Sequence, residues 1–146
     1  MSYIVKDITY NNLEYDVVMK YLKGKVFHIT PSSNYQSIIT NGCIYASCDK
    51  LNKNYPQTDI SYGYKHNCVC LLDYRKVDID ETDSCFRTSL SMFYDDCYVF
   101  VLNESSFSDL KTNVSQDEGY HIPKYEVPFF LNILNLLYFY LFQYQT

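Results

Sequence analysis

Tryptophan is absent from this chain of 146 residues, and glycine and proline are scarce at four each. With so few glycines there is neither a GxGxxG run nor a P-loop, which excludes the common phosphate-cradling turns. Basic residues are also few. Lys and Arg number 12 against 17 Asp and Glu, leaving a net charge of -5 and a pI near 5.0. That balance argues against a protein whose affinity comes from neutralising phosphates. The basic cluster of Lys20, Lys23 and Lys25 surrounds the end of an expected helix, where cations complement the helix dipole. No CxxC pair suggests a metal site, and no GxSxG suggests a serine nucleophile. The first residues, MSYIVKDITYNN, carry no basic stretch followed by a long apolar run. No signal peptide is read there, a cytoplasmic location is expected, and the cysteines at 43, 48, 68, 70, 85 and 97 are expected to be reduced.

Against these absences stand 17 tyrosines and nine phenylalanines. Tyrosine joins an apolar ring to a polar tip, so the surplus suits cores, pockets and protein contacts alike. A hydrophobic content of 47% over residues 1–146 fits a single domain with its own core.

The most fully punctuated stretch is 25–47, KVFHITPSSNYQSIITNGCIYAS. Alternation puts Phe27 and Ile29 on one strand face and Val26, His28 and Thr30 on the other, so the imidazole is expected at a surface or cleft. Thr30 and Pro31 read as a helix N-cap and first helical residue, Tyr35, Ile38 and Ile39 as its inward stripe, and Gly42 as its stop. An earlier helix is expected over about 12–23, with Leu13, Val17, Val18, Tyr21 and Leu22 on its apolar stripe and Gly24 beyond it. Residues 48–65 read as a long loop of the kind that often binds a ligand. NCVCLLDY, 67–74, reads as a strand buried on both faces, and CYVFVL, 97–102, as another. YHIPKYEVPFF, 120–130, returns to strand character, with Pro123 and Pro128 suggesting short or edge pairing. The tail, 131–142, is apolar almost all round. It is too short to span a bilayer and is interrupted by asparagines, so it reads as a buried or partner-covered helix.

His66, Cys68 and Cys70 alternate along a strand, but a core strand explains them better than a zinc site. Glu126, between Tyr125 and Val127, presents a carboxylate from an apolar setting, where it can serve as an ion pair, a base or a stabiliser of positive charge.

The segment VFHITPSSNYQSIITNGCIYAS resembles the first two elements of the ADP-ribosyltransferase superfamily, a strand histidine followed by a small polar residue, a short helix and a glycine. SYGYKHNCVCLLDYR and IPKYEVPFF are similar to the middle strands and the final glutamate strand of small bacterial and phage members of its histidine, tyrosine, glutamate branch. The resemblance covers about residues 25–130. It implies an α/β (α+β) fold with a split mixed β-sheet and flanking short helices. It also implies NAD as substrate, bound by His28 and Thr30, with Glu126 and His28 as the catalytic residues. A tyrosine would stack on the nicotinamide, and Tyr45, Tyr62 and Tyr64 remain open, the last two favoured by their place in the loop. Lys124 stands where arginine-modifying members carry an acidic residue, which argues against arginine as acceptor. Breaking the nicotinamide glycosidic bond generates an oxocarbenium-like transition state, for which a carboxylate and an aromatic face are fitting partners.

The expected function is therefore NAD-dependent ADP-ribosylation of a macromolecule, a protein rather than a nucleic acid, by a toxin or phage anti-defence protein. The alternative is a non-enzymatic protein-binding module or inhibitor acting through its tyrosine-rich surface and apolar tail. A homo-oligomer formed through the tail helix is a further expectation.

Overall fold

A computed structural model describes residues 5–10, 15–46, 66–75, 96–103, 111–112, 125–128, 130–132 and 136–144. In chain order the elements are β1 (Val5–Tyr10), α1 (Tyr15–Leu22), β2 (Val26–Pro31), a 3-10 turn (Ser32–Asn34), α2 (Tyr35–Asn41) and β3 (Cys43–Tyr45). They continue with β4 (Cys68–Asp73), β5 (Cys97–Leu102), β6 (Lys111–Thr112), β7 (Tyr125–Pro128), β8 (Phe130–Asn132) and β9 (Leu136–Tyr144). Seven strands form one sheet in the order β1-β9-β5-β2-β4-β7-β6, and β3 pairs with β8 in a separate ribbon. The β1–β9 pair is parallel and the other pairs of the main sheet are antiparallel, so the fold is a sheet-dominated, mixed α+β arrangement.

Both faces of the sheet are covered near its middle. On one side α1 packs Val18, Met19 and Leu22 against Phe27, Ile29, Val99, Val101, Tyr140 and Phe142. On the other, Ile38 of α2 and Ile44 of β3 meet Val26, Val69, Leu71, Phe100 and Leu102. Fully burying a side chain such as Phe100 or Phe142 contributes about 1.5–3 kcal/mol of transfer free energy. Of the two settings expected for His28, a surface or a cleft, this second layer excludes the open surface. Val26 and Thr30, which share that face, are buried, and His28 itself is half-buried.

The first helix lies within its expected range, ending before Gly24 at φ 79°. The second starts later than expected. Pro31 closes β2 and the 3-10 turn intervenes, because Ser32 donates its backbone N–H to the Asp96 carbonyl at 3.0 Å and keeps the chain against β5. The helix then ends as its sequence requires. Gly42 adopts φ 70°, a left-handed conformation that costs glycine nothing, and its N–H returns to the Ile38 carbonyl at 2.9 Å.

The tail is corrected outright. Instead of a helix over about 131–142, Phe130–Asn132 is β8 and Leu136–Tyr144 is β9, set between β1 and β5 in the main sheet. A run that is apolar on both sides carries no period, so as sequence it looks the same as a buried helix. Aromatic side chains favour the extended choice once two partner strands exist. With no tail helix, assembly of copies through one has no structural element to use. No helix among the described residues is long and apolar enough to cross a membrane.

Candidate functional site

β2 and β4 are closed at one end and parted at the other. At the closed end Gly24 donates to the Tyr74 carbonyl at 2.7 Å and Tyr74 to that of Lys25 at 2.8 Å. Asp73 there accepts from the Arg75 backbone at 3.0 Å and from its guanidinium at 2.9 and 2.8 Å. Ladder pairing is confined to Val26 with Asp73 and Phe27 with Leu72. From Phe27 onward β2 follows β5 as far as Pro31, while β4 between Cys68 and Leu71 pairs with β7. The sheet therefore forks beside His28.

A ladder continued in register would bring Ile29 opposite Cys70. In its place the His28 side chain satisfies β4, with Nδ1 donating to the Cys70 carbonyl at 2.9 Å. This bond sets the tautomer: with the proton on Nδ1, Nε2 keeps its lone pair. Burial holds the imidazole pKa below its usual 6.5, only partly opposed by the bond to Cys70, so the ring is neutral at pH 7. Among the described residues the ring makes no other hydrogen bond.

Two residues on, Thr30 shares the His28 face and is 4% exposed. Its Oγ1 accepts from the side-chain amide of Asn34 at 2.9 Å rather than capping α2. Beside it Tyr35, at the start of α2, stacks on Tyr98 of β5, with ring centroids 4.1 Å apart and planes 13° from parallel. Tyr98 is the register partner of Thr30. Burial, then the neighbouring Tyr35 and Asp7, push the Tyr98 phenol above its ordinary pKa.

The other candidate residues are distributed differently. Tyr45, less favoured than the loop tyrosines from sequence, is 50% exposed at the end of β3, while Cys43 and Ile44 before it are buried. A hydrogen bond with Cys43 raises its pKa. Tyr62 and Tyr64 lie outside the described residues. Glu126 is on β7, with its backbone in register with Cys70 on one side and Lys111 on the other. His28 and Glu126 thus belong to strands separated only by β4, where Cys70 takes the His28 hydrogen bond on its carbonyl and pairs in register with the Glu126 backbone. Among the described residues no group of three or more His, Cys, Asp or Glu side chains is placed to hold a metal ion.

Sequence reasoning passed over Asn34, the Cys70 carbonyl and the Tyr35–Tyr98 stack. The spacing of Thr30 and Asn34, four residues across a strand end, was a local signal. The other two join residues far apart in the chain and had none. In comparisons with known proteins, no family model, curated protein or solved structure matches this chain.

Proposed function

We propose that this chain binds NAD and transfers its ADP-ribosyl group to a macromolecule, with the forked mixed sheet serving as an ADP-ribosyltransferase-like scaffold. The observation that carries the reading is the His28 imidazole, held neutral and oriented by the Cys70 carbonyl at the fork. Its Nε2 lone pair suits a ribose hydroxyl as donor, and a neutral ring adds no positive charge beside a sugar that is becoming an oxocarbenium ion. The bond from the ribose C1′ to nicotinamide breaks, and nicotinamide leaves as a neutral base with the bonding electron pair. An acceptor X–H forms the new bond at C1′ and releases its proton.

Glu126 is the residue assigned to stabilise the developing positive charge. In a flat sheet its register position would lie on the face away from His28. The role therefore requires the β4–β7 half to turn relative to β2 beyond Phe27, where the pairing of β2 with β4 ends. A tyrosine from Tyr45, Tyr62 or Tyr64 supplies the aromatic face. The acidic chain favours a protein acceptor over a nucleic acid. A toxin or phage protein acting on host defence is the biological setting that the family resemblance suggests.

The test is incubation with labelled NAD and a bacterial extract, comparing wild type with Glu126→Gln. Label transfer and nicotinamide release are expected from wild type, and their loss with NAD binding retained from the variant. Transfer that survives the substitution removes Glu126 from its role. A wild-type chain that neither binds NAD nor releases nicotinamide supports the non-enzymatic protein-binding module instead, for which the half-exposed Tyr45 is a natural contact.

A further inference from the structure

We propose that Asn34 is a positioning residue that holds the Thr30 hydroxyl as a hydrogen-bond donor toward a ribose hydroxyl of the bound dinucleotide. This inference rests on the NAD reading above. A threonine hydroxyl has one proton and two lone pairs, and its role is decided by whichever neighbour claims it first. Here the claim comes from an amide N–H of Asn34 at 2.9 Å, which occupies a lone pair and leaves the proton to be given elsewhere. Among the described residues no acceptor takes that proton, although Thr30 is 4% exposed. A buried donor left without an acceptor is costly, and a ligand oxygen that accepts from it recovers the cost.

The amide is held in place from two sides. Ser32, at the start of the 3-10 turn, is tied to the Asp96 carbonyl at 3.0 Å. Tyr35, directly after Asn34, is stacked on Tyr98, which lies opposite Thr30 in the β2–β5 ladder. The turn is therefore pinned to β5 both before and after Asn34. The result is a face of β2 carrying an acceptor, Nε2 of His28, and a donor, the Thr30 O–H, one strand repeat apart. Two adjacent sugar hydroxyls, one donating and one accepting, match that pair. An aspartate at position 34 would reverse the arrangement, because a carboxylate only accepts and would draw the Thr30 proton to itself.

The experiment measures the NAD dissociation constant by calorimetry for wild type, Asn34→Asp, Asn34→Ala, Thr30→Val and the double variant Thr30→Val/Asn34→Asp, with thermal melts as a folding control. Loss of one such hydrogen bond weakens binding by about tenfold. Asn34→Asp is expected to weaken NAD by at least that much, and by more than Asn34→Ala, which leaves the Thr30 proton unclaimed. In the Thr30→Val background the aspartate is expected to change affinity by less than about twofold, since the hydroxyl through which it acts has gone. Equal losses from Asp and Ala, or an aspartate effect of the same size in both Thr30 backgrounds, overturn the positioning role while leaving the NAD reading intact. A wild-type chain that does not bind NAD overturns both. Thr30→Ser, which keeps the hydroxyl, is expected to retain binding and its sensitivity to Asn34→Asp.

Discussion

The imidazole Nδ1 of His28 lies 2.9 Å from the carbonyl oxygen of Cys70, a residue 42 positions further along the chain. The bond sits where the β2–β4 ladder ends, so a side chain completes the hydrogen bonding of a strand that the neighbouring backbone has left. It gives one residue two tasks: satisfying β4 and presenting a lone pair at the fork.

The structural task has a measurable cost. His28→Leu keeps an apolar side chain on the strand but leaves the Cys70 carbonyl without its donor, and is expected to lower the unfolding free energy by about 1–3 kcal/mol. Urea denaturation of the two chains is the measurement. An unchanged midpoint would mean that the carbonyl finds another donor and that the bond contributes nothing net.

Protonation of the same ring opposes folding. The folded pKa of His28 lies below its unfolded value of 6.5, because desolvation outweighs the bond to Cys70. The unfolded chain therefore binds the proton first as pH falls. The His28 contribution to stability is complete above pH 6.5 and declines as the pH drops from there toward the folded pKa, with a slope of at most about 1.4 kcal/mol per pH unit. Denaturation of wild type and His28→Leu at about pH 7.5, 6.5 and 5.5, one unit apart, checks this. The gap between the two stabilities is expected to narrow toward acid, and a gap that widens would mean that folding raises the pKa.

The strand character of the tail gives the third prediction. Phe142 is fully buried between the α1 layer and its neighbours Tyr10, Tyr21 and Tyr140. Phe142→Ala is expected to cost about 3–5 kcal/mol in the same assay. A chain ending at Phe130 loses β9, the partner of both β1 and β5, and is expected to lack a cooperative thermal transition and the far-UV dichroism of the sheet. A stable, folded truncated chain would show that the tail is an appendage rather than an interior strand of the sheet.

The parts that could be read from the sequence are those whose cause is local. Gly42 stops α2 because a left-handed residue is needed there, and neighbouring residues alone create that need. Ile38 with Tyr35 and Ile39, and Val18 with Leu22, face inward because helical spacing brings them to one side. CYVFVL is a strand because a short run of this composition, near the start of no capping signal, has little else to be. Misreadings arose where the cause is remote. Sequence alone leaves His28 at a surface or a cleft, because nothing near it in the chain shows that α2 and β3 fold over that face. The tail reads as a helix from sequence because a run that is apolar on both sides carries no period.

By itself, then, the sequence determined the strand–turn–helix–glycine unit around His28, the two apolar strands 68–73 and 97–102, and the residue types that make NAD chemistry a reasonable proposal. Only the tertiary structure decided that β9 lies inside the main sheet between β1 and β5, that Nδ1 of His28 is claimed by the Cys70 carbonyl, and that the Asn34 amide donates to the Thr30 hydroxyl. The division has a physical reason. Helix caps and side-chain periodicity act over a few residues and are written into them, whereas strand partners and the loss of water around an imidazole depend on segments that meet only after folding.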